Sequence, residues 1–174
     1  MDVRVATPAD AAALSEIASA TFPLACPPRT TAEAIADFIS KNFTVTHFEG
    51  YLSDPDRVLF LAEQDGVAVG YAMVILGEPS DPNVRSSITL APTAELSKLY
   101  VRPGLHGAGV SVALVDAAVE SARAAGRVGI WLGVNNENAR ANAFYEKSGF
   151  AMVGAKQFLV GETWENDFVR ERAL

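Results

Sequence analysis

A glycine-rich turn in the second half of the chain joins an apolar segment to an alanine-rich one. The pattern predicts a strand over residues 95–101 and a helix over residues 107–125, with Gly104, Gly107 and Gly109 at the junction. Small residues allow several backbone N–H groups to converge there, and the helix dipole adds about half a positive charge. The turn therefore predicts an anion site at the carboxyl end of a strand, for which a pyrophosphate is the best fit.

The remaining patterns predict an α/β fold with a mixed sheet. An edge strand at Val3-Arg4-Val5 precedes two helices. The first begins after Thr7 and is expected to end at Pro23, and the second begins at a capping box over residues 30–33. Asp65-Gly66 predicts a tight antiparallel hairpin. The later segments are read as a surface loop, a strand, a helix and two closing strands, over residues 78–94, 128–134, 138–148, 150–160 and 163–170. Right-handed parallel crossovers are expected in the second half.

Length and charge restrict the classes of function. The 174 residues fit one domain spanning residues 1–174, given about 150 residues per domain. Fourteen Lys and Arg against 21 Asp and Glu give a net charge of −7, which opposes nucleic-acid binding and favours cationic partners. Cys26, His47 and His106 are too few for an internal disulfide or a metal cluster. We expect a cytoplasmic protein, because no secretion signal or membrane span is recognisable.

Three kinds of phosphate-binding turn were compared with this segment. A P-loop needs Lys-Ser/Thr after its last glycine, whereas Val110-Ser111 follows Gly109. A dinucleotide-binding turn needs a third glycine where Val112 stands. The segment instead resembles the turn Q/R-x-x-G-x-G/A of the GNAT acetyltransferases, with His106 at the Gln/Arg position and Ser111 at the final Gly/Ala position.

A second motif strengthens the resemblance to the GNAT acetyltransferases. Their pattern N-x-x-A-x-x-L/F-Y-E-K-x-G-F is filled by Asn138, Ala141, Phe144, Tyr145, Glu146, Lys147, Gly149 and Phe150. The order of elements also matches, so the resemblance covers nearly the whole chain. It implies a GNAT-like mixed central sheet of about seven strands flanked by helices.

The resemblance implies a direct transfer of the acetyl group from acetyl-CoA to a primary amine, with no metal. The implied cofactor-binding residues are Leu99, Tyr100, Val101, His106, Gly107, Ala108, Gly109, Val110, Ser111, Asn138 and Tyr145. Tyr145 would protonate the departing thiolate, while Phe144 is expected to pack in the core. Asn138 is also a helix cap by position. Glu95 is the candidate general base, and a solvated carboxylate at a strand end is the alternative.

The acceptor amine is less constrained by the sequence. Gly133 stands where ribosomal-protein N-acetyltransferases carry Glu, which disfavours that branch. Residues 130–134, 138–150 and 154–161 are instead similar to the bacterial spermidine/spermine N-acetyltransferases of the Bacillus type. A polyamine is therefore the predicted acceptor. The alternatives are a peptide N-terminal or lysine amine, or a non-catalytic acetyl-CoA sensor. The closing strands are candidates for pairing in a homodimer.

Overall fold

A seven-stranded mixed sheet organises the computed structural model, which describes residues 1–105 and 109–174. The strands are β1 (Asp2–Val5), β2 (Arg57–Gln64), β3 (Val67–Ile75), β4 (Thr93–Val101), β5 (Gly129–Asn135), β6 (Ala151–Val160) and β7 (Thr163–Ala173). Their order across the sheet is β1-β2-β3-β4-β5-β7-β6. All neighbouring pairs are antiparallel except β4 and β5, which are parallel. The predicted fold class is confirmed.

Helices cover both faces of this sheet. They are α1 (Ala11–Ala25), α2 (Ala32–Asn42), α3 (Val45–Ser53), α4 (Pro82–Ser87), α5 (Val110–Ala124) and α6 (Ala139–Lys147). One core lies under α5 and contains Leu96, Leu114 and Leu132. The other lies under α1, α2 and α3 and contains Ile17, Phe43 and Tyr71. The two faces of β4 therefore meet different helices.

The two central strands separate soon after they begin. β4 and β5 pair only through residues 93–95 and 129–131, so the ladder ends at Glu95 and Trp131. On its other edge, β4 stays paired with β3 as far as Val101. A bulge there skips Ser97, because Met73 pairs with Lys98 and Val74 pairs with Leu96. The result is a split in the sheet between the second half of β4 and the second half of β5.

Three sequence predictions of local structure are wrong: the end of the first helix, the number of helices after the first strand, and the loop over residues 78–94. Pro23 lies within α1, because its fixed φ suits a helix and only one backbone hydrogen bond is lost. Three helices, not two, follow the first strand, since α3 begins at the cap Thr44. The predicted loop over residues 78–94 contains α4 and the start of β4. Val84 of α4 is fully buried against Trp131 and Val169, which holds this short helix in place.

Candidate active site

Two cavities adjoin the split between β4 and β5. The first has a volume of about 420 Å³, and the second has a volume of about 210 Å³. Their linings share residues of α1, β4 and α6, namely Ala25, Leu99, Tyr100, Asn138, Ala141 and Tyr145. The two cavities are therefore adjacent, and these residues separate them at the split.

The first cavity lies between β4, α1 and the amino ends of α5 and α6. Its wall carries Leu99, Tyr100 and Val101 from β4, together with Gly109 and Ser111 at the start of α5. Gly109 has φ 80°, in the left-handed region that glycine adopts without strain, and it caps α5. Its position directs the amino end of a 15-residue helix toward the cavity. This end of the cavity is suited to an anionic group.

Tyr145 lies where the two cavities meet. Its ring packs edge-on against Phe150 with 5.9 Å between the centroids, and against Phe144 with 5.3 Å. Burial raises the pKa of Tyr145 above its ordinary value, so the phenol keeps its proton at neutral pH. The hydroxyl forms no hydrogen bond with the residues that the structure describes. It is therefore a protonated donor available to a group in the cleft.

Asn138 fixes the amino end of α6 beside Tyr145. Its side-chain oxygen accepts a hydrogen bond from the Ala141 backbone N–H at 3.0 Å, which confirms the predicted cap. The side chain also lines both cavities. Because the oxygen serves the cap, the amide nitrogen is the part that remains for a ligand.

The second cavity is lined by charged groups of both signs. Glu95 and Lys98 come from β4, and the bulge at Ser97 between them brings both side chains to the face covered by α1 and α2. Burial raises the pKa of Glu95, an effect that Lys98, Lys156 and Arg57 partly offset. Burial also lowers the pKa of Lys98, against the attraction of Glu95. Each group is therefore closer to its neutral form than it would be in water.

The opposite wall of the second cavity comes from the β6–β7 hairpin. The Lys156 ammonium lies 3.9 Å from Asp167, and burial raises the pKa of Asp167 to about 6. Glu165 is only 3% exposed, and its carboxylate pairs with Arg29 from the loop after α1. Arg29 also pairs with Glu137. These contacts tie the loop between α1 and α2 to the rim of the cavity.

The structure brings together most of the residues predicted for the site. Leu99, Tyr100, Val101, Gly109, Ser111, Asn138 and Tyr145 line the first cavity, and Glu95 lines the second beside Tyr145. The Val110 side chain is instead buried in the core, so only its backbone lies at the turn. His106, Gly107 and Ala108 lie outside the described residues.

Other lining residues were missed from the sequence. Lys98, Lys156 and Asp167 lie on strands, where an isolated charge has no short motif to mark it. Thr21 and Leu24 of α1 enter the first cavity, as does Phe144, which was expected only to pack. The Leu24 side chain, which is 61% exposed, is an apolar part of the lining of the first cavity. In a regular strand, the side chains of Glu95 and Lys98 would lie on opposite faces of β4. The bulge at Ser97 places both on the same face.

Among residues 1–105 and 109–174, no group of three or more His, Cys, Asp or Glu side chains is arranged to hold a metal ion. No helix in the same residues is long and apolar enough to cross a membrane.

Comparison with known proteins identifies the family. Residues 12–150 match the model of the acetyltransferase (GNAT) family. The chain belongs to the GNAT acetyltransferase family. Members of this family are acyltransferases that use acetyl-CoA, so an acetyl-CoA site is part of this fold. The GNAT chain is 43% identical, over 165 residues, to an uncharacterized N-acetyltransferase of Mycobacterium tuberculosis, and the match covers 95% of this chain and 98% of the relative.

Solved GNAT structures have the same fold. The PaiA N-acetyltransferase from Thermoplasma acidophilum, in complex with coenzyme A, superposes with a TM-score of 0.77 and 19% identity, covering 100% of both chains. The acetyltransferase YncA from Salmonella typhimurium, with acetyl-CoA, gives a TM-score of 0.69 and 22% identity, covering 100% of this chain and 94% of the other. At these identities the likeness concerns the fold, which agrees with the sheet order described above.

Proposed function

We propose that this GNAT enzyme transfers the acetyl group of acetyl-CoA to a primary amine inside the split between β4 and β5. The observation that carries the proposal is the position of Tyr145, a protonated phenol that lines both cavities. A donor at that junction can reach a group entering from either side. The cofactor occupies the first cavity, and the amine occupies the second.

The first cavity combines the volume of a ligand pocket with the amino end of a helix. Its volume of about 420 Å³ is within the usual range for ligand pockets. The pyrophosphate lies at the amino end of α5, at Gly109, Val110 and Ser111, with His106, Gly107 and Ala108 as the preceding part of the predicted turn. The pantetheine arm follows Leu99–Val101, and the Asn138 amide nitrogen binds it.

The reaction is a direct attack on the thioester. The amine nitrogen forms a bond to the acetyl carbon, and the carbonyl oxygen becomes an oxyanion. Backbone N–H groups of β4 stabilise that oxyanion, because this edge of β4 has no strand partner after Glu95 among the described residues. The carbon–sulfur bond then breaks, Tyr145 gives its proton to the coenzyme A thiolate, and the second proton lost by the amine nitrogen restores the Tyr145 phenol, directly or through a water molecule.

The attacking amine must first lose a proton. An alkyl ammonium has a pKa of about 10.4, so nearly all of it is protonated at neutral pH. Glu95 accepts this proton, directly or through a water molecule. The raised pKa of Glu95 supports the role, because a carboxylate with a raised pKa is a stronger base and accepts the proton of the amine more readily.

Spermidine and spermine stay predictions for the acceptor. Their support is the sequence resemblance and the net charge of −7. A homodimer and a cytoplasmic location stay predictions from the sequence as well.

The direct test is coenzyme A release, followed with a thiol reagent, from acetyl-CoA and a panel of amines. The panel contains polyamines, simple alkylamines, amino acids and short peptides. We expect an amine-dependent rate, and Tyr145→Phe should lower kcat by about 10²- to 10⁴-fold with little change in the KM for acetyl-CoA. Tyr51→Phe is the control, since the Tyr51 hydroxyl bonds the Asn42 carbonyl away from the cleft.

Three outcomes contradict the proposal. Binding of acetyl-CoA by calorimetry without release from any amine would indicate a sensor. An unchanged kcat in Tyr145→Phe would remove the proton donor. An equal loss of kcat in Tyr51→Phe would mean that the effect is structural.

A further inference from the structure

The charges of the second cavity fall into paired and unpaired groups. Glu165 pairs with Arg29, and Asp167 lies beside Lys156. The side chains of Glu95 and Lys98 form neither an ion pair nor a hydrogen bond with the residues that the structure describes. One carboxylate and one ammonium therefore enter the same cavity without partners. Opposite charges that are left unpaired in a partly buried cavity indicate a ligand that supplies both partners.

Lys98 lines the second cavity, and its ammonium has only a weak contact among the described residues. Its Nζ lies 5.8 Å from the centroid of the Phe43 ring, a weak contact that leaves three N–H donors unused. The neighbouring cation Arg57 already pairs with Asp54 at 2.9 Å. Lys98 is thus the cation of this region that has no carboxylate of its own among the described residues.

The absence of a side chain at Gly133 leaves room for Lys156, the second lysine of the cavity. A Cβ added at Gly133 would lie 2.5 Å from the Lys156 Cε and 3.3 Å from an Asp167 carboxylate oxygen. The Lys156 side chain therefore crosses β5 at Gly133, because a glycine has no side chain to occupy that space. Its ammonium lies 5.3 Å from the Phe158 ring and only loosely contacts Asp167. A second cation is held at the cavity in this way.

We propose that the acceptor is a small amine that also carries a carboxylate, and that Lys98, assisted by Lys156, binds that carboxylate. This inference rests on the proposed function, because it assigns the second cavity to the acceptor. The acceptor amine lies toward Glu95 and Tyr145, and its carboxylate lies toward the two lysines. Each unpaired group of the cavity then has an opposite charge beside it.

Charge and size both favour this class over a polyamine. The cavity and its rim carry three carboxylates, on Glu95, Glu165 and Asp167, and three cations, on Lys98, Lys156 and Arg29, so the net charge of −7 is not concentrated here. The second ammonium of a polyamine would face two lysines without a free carboxylate to bind. The volume of about 210 Å³ suits a molecule the size of an amino acid.

The test compares amines that differ only by a carboxylate. Glycine, β-alanine, γ-aminobutyrate and ε-aminocaproate are measured against methylamine, ethylamine, propylamine and pentylamine, with spermidine and spermine in the same series. We expect the best amino acid to exceed its alkylamine in kcat/KM by about 10- to 100-fold. The chain length at which this preference peaks reports the separation between the amine and carboxylate sites.

Variants of the lysines locate the effect. Lys98→Met should lower kcat/KM for the preferred amino acid, relative to that for its alkylamine, by about 10- to 100-fold, mainly through KM, since any effect on the base Glu95 is shared by both acceptors. Lys98→Arg should restore part of the loss. Lys41→Met, at an exposed lysine that pairs with Asp37, is the matched control. If Lys98→Met does not fold, Lys156→Met and Gly133→Ala make the same comparison from the other wall.

The results separate this inference from the proposed function. Faster turnover of alkylamines or polyamines than of the amino acids would overturn the carboxylate site while keeping acetyl transfer. An equal loss for both acceptors in Lys98→Met would also overturn it. Turnover of no amine at all would overturn the proposed function and this inference together.

Discussion

Burial changes the acid strength of three side chains around the cleft. It raises the pKa of Tyr145, so the phenol stays protonated, and it raises the pKa of Glu95 and that of Asp167, the latter to about 6. A proton donor and two candidate acceptors thus line one cavity. The rate at different pH values distinguishes between the two carboxylates, because each must be ionised to act as a base.

The kcat/KM for the amine should rise with pH, since both the base and the substrate amine must lose a proton. Glu95→Gln should remove the part of this rise that is due to ionisation of the enzyme's base, leaving the part that is due to the amine. It should also lower the plateau of kcat/KM at high pH. Asp167→Asn is the matched variant, and it should retain the wild-type profile. Superposition of the Glu95→Gln profile on that of the wild type would exclude Glu95 as the base. Loss of a limb near pH 6 in Asp167→Asn would assign the base to Asp167.

Among the elements, α6 combines a structural role with a proposed binding role. Asn138 caps the helix through its oxygen and lines both cavities. Ser is also a good cap, but it lacks the amide nitrogen. Substitutions at this one position therefore separate the stability of α6 from the binding of the pantetheine arm.

Asn138→Ser should keep a melting temperature near that of the wild type and raise the KM for acetyl-CoA. Asn138→Ala should raise that KM and also lower the free energy of unfolding by about 1 kcal/mol. Thr31→Ala removes the cap of α2, where Thr31 accepts from the Ala34 N–H, and should affect stability alone. An unchanged KM in Asn138→Ser would leave Asn138 with only its capping role.

Elements with a local cause were predictable from the sequence. The hairpin between β2 and β3 lies where it was predicted, because Asp65 and Gly66 adopt φ values of 53° and 75° at its turn. The helix at Asn138 follows equally from its cap. By contrast, α4 depends on Val84 reaching Trp131, which is distant in sequence. A tertiary contact of this kind leaves no local pattern.

The two sides of the candidate site also differ in how far the sequence predicts them. The residues around Gly109 and Tyr145 belong to continuous motifs, so the cofactor side was predictable, although residues 106–108 lie outside the structural description. The acceptor side was predicted only at Glu95. Lys98 and Lys156 reach it through a bulge in β4 and through the absence of a side chain at Gly133. Both are consequences of strand register, which the sequence does not display.

At the scale of the whole molecule, the split in the sheet accounts for the site. Helix α5 covers one face, while α1, α2 and α3 cover the other, and the two cavities adjoin the split and meet at Tyr145. A thioester placed there is accessible to an amine from the opposite side. We propose that the split is where the cofactor and the amine meet.

A crystal structure of the enzyme with coenzyme A tests this claim most directly. The account predicts the pyrophosphate at the amino end of α5, the pantetheine arm along Leu99–Val101, and the sulfur in the split within hydrogen-bond reach of the Tyr145 hydroxyl. The second cavity should remain open to an amine beside Glu95. A sulfur atom outside the split, or coenzyme A bound across the second cavity, would contradict the account.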